Sequence, residues 1–186
     1  SPDAVYICDP VMGDVGRGIF VKPSLPPFFT NNAVKVADII TPNQFELGLL
    51  TGIDIHTQGD TKAACQILHD KGVQTVLVTS LITQDTQDDD EISMFASSKK
   101  GEAYLVTTPK LKFSDDPNGS GDLTAALFTG NLMRNPSLKE ALEATADCVF
   151  KVFQNTVNAG TRELALIQSR PDFLNTDTAE MKAQEI

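Results

Sequence analysis

Residues 4–14 read AVYICDPVMGD, an apolar run that passes directly into a connection rich in proline and glycine. Such a near-continuous apolar run is typical of a strand that is buried on both faces of a parallel sheet. We therefore predict a central strand over Ala4–Cys8, with Asp9 and Asp14 in the loop that follows it. Because that strand lies so close to the first residue, we expect an earlier part of the sheet to be absent.

Two further apolar segments, Asp38–Ile40 and Gln74–Thr79, are predicted as strands. Helical patterns separate them, and strands that alternate with helices indicate an α/β domain with a mostly parallel sheet. Right-handed crossovers bring the carboxyl ends of parallel strands to one edge, where ligands bind in such folds. The polar residues that this arrangement would gather at the edge are Asp9, Asp14, Thr41, Asn43, Glu46, Thr79 and Ser80.

Periodicity and capping residues predict the remaining helices. Four of them are expected over 26–36, 43–50, 123–133 and 162–168. The third is apolar nearly all round, which indicates a fully buried helix. Asp60 is expected to cap another helix that ends at Gly72, and Ser137 with Glu140 forms a capping box for a long amphipathic helix.

Strands over 92–96 and 103–107 flank Lys99-Lys100-Gly101-Glu102 and predict a β-hairpin. Before them, residues 84–91 are predicted as a solvated hairpin or loop, because three consecutive aspartates lie at 88–90. A cation site at these aspartates is the alternative.

The composition is that of an ordinary globular chain of about one domain, with 186 residues, 41% hydrophobic and 22% charged. It excludes a disordered protein, a collagen-like fibre and a coiled coil, each of which needs a strong bias. No apolar run approaches the ~20 residues of a membrane helix, and no export signal is readable at the start. We expect a soluble cytoplasmic protein without a membrane partner.

The net charge is −10, from 15 basic and 25 acidic residues. It argues against nucleic acid as a partner, because no basic footprint is available for a phosphate backbone. A small polyanion would have to be bound by metal ions, helix N-termini and a few local cations.

Three cysteines, Cys8, Cys65 and Cys148, lie far apart in the sequence. No CxxC motif or Cys/His cluster appears, which argues against a structural zinc site. We interpret the three residues as reduced, buried thiols.

Gly119-Ser120-Gly121-Asp122 is the sharpest single feature of the sequence, since it leads directly into a predicted helix. Two glycines let the backbone approach a ligand closely, and free N–H groups at a helix N-terminus bind anions. Asp122 would repel a phosphate unless it served as the base for an attacking hydroxyl, so the combination indicates phosphoryl transfer. The alternative for Asp122 is a helix cap, which would leave the flanking glycines unexplained.

Asp14 and Glu46 have the chemistry to hold Mg²⁺, directly or through its waters, because hard cations prefer carboxylate oxygens. The alternatives are a turn residue beside Gly13 for Asp14 and a solvated helix face for Glu46. Neither a GxxxxGK[ST] phosphate loop nor a GxGxxG dinucleotide motif is present, so neither of those nucleotide sites is supported.

Taken together and in this order, three strings resemble the pyridoxal kinases of the ribokinase superfamily: DPVMGD over 9–14, TPNQFEL over 41–47 and GSGDL over 119–123. Residues 76–80 and 163–170 are also similar to that family, so the resemblance covers essentially the whole chain. It implies a single, incomplete ribokinase-like kinase domain over residues 1–186, with a mostly parallel sheet flanked by helices and the N-terminal strands missing.

The resemblance also implies ATP-dependent phosphorylation of the 5′-hydroxyl of pyridoxal, pyridoxine or pyridoxamine, a reaction of vitamin B6 salvage. Asp122 would be the base, and the backbone of Gly119, Ser120 and Gly121 would form the anion hole. The site for ATP and Mg²⁺ would comprise Asp14, Thr41, Asn43, Glu46, Thr79 and Ser80, with the metal at Asp14 and Glu46. A monovalent cation and a homodimer are further expectations from the family.

Two features depart from the family pattern. Residues 114–118 read SDDPN where the family is usually more apolar, and two carboxylates near a triphosphate are unfavourable unless they face solvent or bind cations. The family also has a long N-terminal portion before its DPVMGD string, which supplies the first strands, a lid and much of the vitamin pocket.

Other interpretations remain. Hydroxymethylpyrimidine kinases carry similar DPVM and TPN strings, but they typically place cysteine where Asp122 stands and lack the QFEL continuation. Sugar kinases of the superfamily keep a GxGD motif without TPNQFEL. A non-catalytic nucleotide-binding protein, or a subunit that depends on a partner, is the alternative from a different class, and the intact GSGD string argues against it.

Overall fold

The computed structural model describes residues 4–85, 90–113, 117–174 and 179–186. Its strands are β1 (Ile7–Cys8), β2 (Gly13–Asp14), β3 (Gly18–Ile19), β4 (Ile39–Ile40), β5 (Thr75–Leu81), β6 (Glu91–Ser98), β7 (Ala103–Pro109) and β8 (Gln184–Glu185). Its helices are α1 (Leu25–Phe28), continued by a π-helix over Phe29–Ala33, α2 (Gln44–Thr51), α3 (Gln58–Asp70), α4 (Ser120–Arg134), α5 (Leu138–Ala159) and α6 (Arg170–Leu174).

Six of these strands form one sheet in the order β1-β4-β5-β6-β7-β8, and β2 with β3 forms a separate hairpin. β1, β4 and β5 are parallel neighbours, whereas β6, β7 and β8 continue the sheet as antiparallel strands. Helices flank this sheet, so the predicted α/β class is confirmed. The parallel half carries the loops in which the sequence places its polar residues.

The first strand is shorter and more exposed than the prediction over Ala4–Cys8. β1 lies at the edge of the sheet, and its neighbour among the described residues is β4. Val5 and Tyr6 are 42% and 45% exposed, whereas Cys8 is buried. The prediction of a central strand buried on both faces is therefore wrong for the described chain, because no part of it covers the outer side of β1.

Alternate residues of the central strands supply two hydrophobic clusters, one on each face of the sheet. The first joins the sheet to α2 and α3 and includes Ile40, Leu47, Leu68, Val76 and Val78. The second joins the sheet to α4 and α5 and includes Ile39, Leu77, Phe128 and Leu142. Because successive side chains of a strand point to opposite faces, this alternation produces three layers of helix, sheet and helix.

The helices predicted over 26–36 and 43–50 are confirmed with small shifts, the first as α1 and the π-helix after it. α2 ends at Gly52, whose φ of 77° is the left-handed stop that the sequence predicts. The hairpin of β6 and β7 is also confirmed. The loop predicted over 84–91 falls largely on residues 86–89, which lie outside the described ranges, as do two of the three aspartates of the alternative cation site.

Two helix predictions need correction. The N-cap of α3 is Thr57, and Asp60 completes a capping box at the third helical position rather than capping the helix itself. α4 is not buried all round, since Met133 is 55% exposed. Its buried residues lie on one face: Thr124, Ala125, Phe128 and Asn131. The prediction counted apolar residues, but the described chain offers no layer to cover the outer face.

The two C-terminal helix predictions have different outcomes. Ser137 caps α5 as predicted, but the Glu140 side chain contacts Asn135 instead of completing the capping box. The helix predicted over 162–168 is wrong, because this segment forms turns and α6 begins only afterwards. Pro171 lies in the first turn of α6, where its missing N–H is not needed, so it marks a start rather than a stop. None of the described helices is long and apolar enough to cross a membrane.

The three cysteines are free and buried, as the sequence predicts. Burial raises the pKa of the Cys65 thiol to about 12, against a hydrogen bond with Ser97 that lowers it. This thiol therefore stays protonated and unreactive at neutral pH.

The last described segment is held to α5 by two buried carboxylates. Glu143 accepts the N–H of Ala183 at 3.0 Å, and Asp147 accepts the N–H of Glu180 at 3.1 Å. The Lys151 ammonium lies 2.7 Å from Asp147 and offsets its charge. These contacts fix the chain where β8 pairs with the edge of β7.

Substitution of Glu143 by alanine is expected to lower the free energy of unfolding by about 1–3 kcal/mol, because the buried N–H of Ala183 loses its acceptor. The amide of Ile186, which donates to Ala103 at 3.0 Å, should then exchange its hydrogen faster. Glu143→Gln keeps a carbonyl oxygen for the N–H of Ala183 and should lose less stability than the alanine variant. Unchanged exchange in the alanine variant would contradict the anchoring role.

Candidate active site

Three parallel strands end at one edge of the sheet, as predicted, and their loops are joined by backbone hydrogen bonds. Thr41, after β4, donates its N–H to Cys8 of β1 at 3.1 Å. Thr79, in the last part of β5, donates its N–H to Pro42 at 2.9 Å. The loops that carry the predicted polar residues therefore form one connected surface.

Glu46 ties two of these loops together. It is 3% exposed, and its two carboxylate oxygens accept the N–H groups of Met12 and Asn43, each at 2.9 Å. Asn43 in turn caps α2 and donates its side-chain amide to the carbonyl of Gly13 at 2.8 Å. The alternative that Glu46 lies on a solvated helix face is therefore wrong.

Burial raises the pKa of Glu46 to about 7. The hydrogen bonds from the N–H groups of Asn43, Met12 and Gly13 lower the pKa, and the charge of Asp9 raises it further. Removal from water is the largest of these effects, because a carboxylate loses its hydration when it is buried.

The β2–β3 hairpin begins at a glycine that has no room for a side chain. A Cβ on Gly13 would lie 2.5 Å from the Gly18 carbonyl oxygen and 2.5 Å from the Phe45 ring. Asp14 follows, half-buried, and one of its oxygens accepts the N–H of Val15 at 2.7 Å. Asp14 thus ends β2 and begins the turn that one alternative predicted, and it also faces the cleft described below.

Asp9 was placed at this edge by the sequence but left out of the predicted ligand set. Its Oδ1 accepts the Thr41 hydroxyl at 3.2 Å, while its Oδ2 is buried and has no hydrogen-bond partner among the described residues. Oδ2 lies 3.8 Å from the position that a Cβ on Gly121 would take. Burial raises the pKa of Asp9, the bond from Thr41 lowers it, and the charge of Asp122 raises it. Buried polar atoms are nearly always paired, so this oxygen marks a place for a ligand.

The N-terminus of α4 lies beside Asp9. Gly119 is the N-cap, with a φ of 82° that favours glycine, and no side chain caps the helix. The first N–H groups of α4, at Ser120 and Gly121, are therefore left for a ligand. Asp122 is at the third helical position and exposed, and it does not act as the cap, contrary to the alternative reading of this residue.

A cleft of about 360 Å³ opens beside these groups, between the sheet, α4 and α5. The polar part of its lining includes Asp14, Arg17, Thr79, Ser80, Ser120 and Gly121. The apolar part includes Met94, Leu111, Phe113, Val149, Phe150 and Phe153. Such a lining suits a ligand with a flat apolar part and a charged part.

The predicted site residues thus fall into two groups. Asp14, Thr79, Ser80, Ser120 and Gly121 line the cleft. Thr41, Asn43 and Glu46 stand behind them, with their side chains hydrogen-bonded within the protein. Ser80 has a φ of 52°, which is uncommon outside glycine, at a register shift between Val78 and Leu81. Such backbone strain is often found at functional sites.

The loop that departs from the family pattern is described only in part. Residues 114–116 lie outside the described ranges, while Pro117 lines the cleft and Asn118 pairs with Glu163. Across the described part of the chain, no group of three or more His, Cys, Asp or Glu side chains is arranged to hold a metal ion by itself.

A family model described as phosphomethylpyrimidine kinase matches residues 2–166. The chain belongs to this family. It is 45% identical to pyridoxal kinase PdxY of Rubrobacter xylanophilus over 170 residues, which cover 91% of this chain and 58% of that relative. The chain spans about three fifths of the length of the curated relatives that it matches.

Solved structures of related kinases have the same fold as this chain. The structure of Plasmodium falciparum PdxK with AMP-PNP and PL is similar with a TM-score of 0.84 at 28% identity, over 98% of this chain and 60% of that chain. A structure from Bacteroides thetaiotaomicron with pyridoxal, which carries the phosphomethylpyrimidine kinase name, has a TM-score of 0.82 at 28% identity, over 100% of this chain and 66% of that chain. The resemblance to pyridoxal kinases and the ribokinase-like fold class are confirmed.

The close approach at Gly13 can be tested by adding one methyl group. Gly13→Ala is expected to lower the free energy of unfolding by about 1–3 kcal/mol, because the new Cβ overlaps the backbone of Gly18 and the ring of Phe45. Gly130→Ala, where a Cβ in α4 meets nothing within 4 Å, should instead raise it by about 0.5–1 kcal/mol. Urea unfolding of both variants measures the contrast, and equal effects would contradict it.

The pKa of Glu46 predicts a pH dependence of stability. Its folded value of about 7 exceeds the ordinary 4.5, so the folded chain keeps a proton that the unfolded chain releases. The contribution is fully present below about pH 4.5 and is lost as the pH rises through about 7. Relative to Glu46→Gln, which does not titrate, the unsubstituted chain should lose roughly 3 kcal/mol over this range. Urea unfolding at several pH values, without divalent cations, measures the difference in free energy of unfolding between the two chains. A difference that does not change with pH would contradict the raised pKa of Glu46.

Proposed function

We propose that this chain carries the ATP site of a pyridoxal kinase, which transfers a phosphoryl group from ATP to the 5′-hydroxyl of pyridoxal, pyridoxine or pyridoxamine. The observation that carries the proposal is the uncapped N-terminus of α4, which lines a cleft with an apolar part and lies beside an Asp9 oxygen that has no hydrogen-bond partner among the described residues. The names of the relatives support the substrate class, and the activity of a full-length protein is a proposal for this chain.

The N–H groups at Gly119, Ser120 and Gly121 would bind the phosphoryl group in transit. A helix N-terminus carries a partial positive charge and leaves its first N–H groups without intrahelical partners. These donors are fixed by the fold and need no rearrangement when negative charge develops on the transferred group. Gly121 has no side chain to cover these donors, and a Cβ there would lie 3.8 Å from Asp9 Oδ2.

Asp122 would accept the proton of the attacking hydroxyl. It lies in the first turn of α4, beside the same N–H groups, and its side chain is exposed. The N-cap is Gly119 and no side chain bonds to the cap, which supports a role for the Asp122 carboxylate outside the helix. A general base must reach the hydroxyl that attacks, and this position is next to the proposed anion hole.

Mg²⁺ fits the donor set at this edge. Asp14 faces the cleft, and Asp9 has a buried oxygen without a hydrogen-bond partner among the described residues; hard cations prefer such carboxylate oxygens. Both oxygens of Glu46 already accept N–H groups, so Glu46 would act through water. When bound, the ion would offset phosphate charge, with phosphate oxygens and water as its other ligands.

The remaining predicted residues would bind or position ATP. Thr79 and Ser80 line the polar part of the cleft and would contact its phosphates. Thr41 and Asn43 would hold the surrounding loops in place through their own hydrogen bonds. The apolar part of the lining would take the base. A monovalent cation and a homodimer stay predictions from the family.

Phosphorylation of hydroxymethylpyrimidine is the second candidate function, favoured by the description of the family model. The acid at position 122 and the QFEL string after Asn43 favour the vitamin B6 substrates instead. Turnover of the purified chain with Mg²⁺-ATP and each alcohol in turn would separate the two. A preference for hydroxymethylpyrimidine would overturn the pyridoxal assignment, and ATP binding without turnover of either alcohol would favour the non-catalytic alternative.

Asp122→Asn is expected to lower kcat with pyridoxal by about 10²- to 10⁴-fold, because the hydroxyl loses its base. The dissociation constant for Mg²⁺-ATP should stay within about two-fold, since the backbone donors of α4 are unchanged. Asp54→Asn, at an exposed position outside the cleft, removes the same charge and serves as the control. Unchanged turnover in Asp122→Asn would show that the base lies elsewhere.

A further inference from the structure

Arg17 projects from the tip of the β2–β3 hairpin into the polar part of the cleft. The tip is a tight turn in which the Arg17 N–H donates to the Asp14 carbonyl at 3.2 Å. Gly16 and Gly18 on either side have φ values of 78° and 69°, which only glycine adopts readily. The base of the hairpin is fixed by the contact of Gly13 with Phe45. A defined backbone therefore presents Arg17.

The Arg17 guanidinium is placed by an aromatic ring. Its central carbon lies 5.9 Å from the centre of the Phe20 ring, a distance at which a cation is attracted to the ring face. Phe20 follows on the same hairpin and bonds back through its N–H to Met12 at 3.1 Å. The ring thus gives the exposed side chain a preferred position without using its N–H donors.

The described charged residues around the cleft do not pair with Arg17, so its guanidinium is available to bind an anionic ligand. The described residues that line the cleft include two cations, Arg17 and Lys110. Within the described ranges neither one forms an ion pair, although the chain has 25 acidic residues. Asp14 lines the polar part of the cleft, and the carboxyl groups of Asp9 and Asp122 lie beside Gly121 and Gly119 at the start of α4. A polyanion could bind there only if local cations offset the repulsion from these groups.

We propose that Arg17 binds the phosphate chain of the nucleotide in this cleft. The guanidinium is always charged and presents paired N–H donors that match two phosphate oxygens, which a lysine ammonium does not. From the hairpin it would face the N–H groups of Ser120 and Gly121, so that the phosphates lie between two sets of donors. The inference rests on the proposed function, since it takes ATP as the ligand of the cleft.

A purely structural role does not account for Arg17. The residue is exposed, it belongs to neither hydrophobic cluster, and its guanidinium bonds no carboxylate in the described part of the chain. A substitution that keeps the side chain polar should therefore leave the fold unchanged. Any loss of binding can then be assigned to the ligand.

The test titrates the purified chain with Mg²⁺-ATP, AMP and adenosine by calorimetry. Arg17→Gln is expected to weaken Mg²⁺-ATP binding by about 10- to 100-fold and to leave adenosine binding within about two-fold, with AMP between them. Arg17→Lys should recover part of the loss, because it restores the charge but not the paired donors. Lys62→Gln removes one positive charge from the exposed side of α3 and should change none of the three affinities.

The outcomes separate the two proposals. If the unsubstituted chain binds Mg²⁺-ATP and Arg17→Gln binds it equally well, the role of Arg17 is overturned and the proposed function stands. If Arg17→Gln loses adenosine and ATP affinity to the same extent, Arg17 acts on the cleft and not on phosphate. If the unsubstituted chain does not bind Mg²⁺-ATP, both proposals fail.

Discussion

The arrangement of the site depends on one buried carboxylate. Glu46 accepts N–H groups from the loop after β1 and from the loop after β4, and it does so from inside the protein. These two loops carry Asp9, Asp14 and Asn43, so their relative positions are set by the two hydrogen bonds. A buried carboxyl group that satisfies two backbone donors is costly to move, because each donor would then be left without a partner. The loops are therefore held as one unit, and the β2–β3 hairpin projects from it.

The acidic character of the chain and its proposed anionic ligand are compatible for a local reason. Net charge acts over the whole surface, whereas a phosphate responds mainly to donors within a few ångströms, since solvent ions screen distant charges. Here the donors are backbone N–H groups at the start of α4 and two cations that form no ion pair within the described residues, while nearby carboxylates suit a divalent ion. Recognition by such a site depends on geometry more than on the total charge.

The sequence predicts the sheet edge well, because strand ends, proline and glycine are local signals. Asp14, Thr79 and Ser120 all lie where strand order and the GSGD string place them. The unpaired oxygen of Asp9 was not predicted, since it depends on which neighbours a fold brings near a carboxylate. The burial of Glu46 was missed for the same reason. Residues 162–168 were predicted as a helix that ends before Pro171, whereas Pro171 lies in the first turn of α6.

The exposed position of β1 has a consequence for the behaviour of the chain in solution. One side of this strand pairs with β4, and the other side presents backbone N–H and C=O groups next to Val5 and Tyr6. An open, apolar strand edge is a template for any other extended polypeptide. Among the described residues, this edge is therefore where another extended segment could pair with the sheet, and charged side chains introduced along β1 would disfavour such pairing.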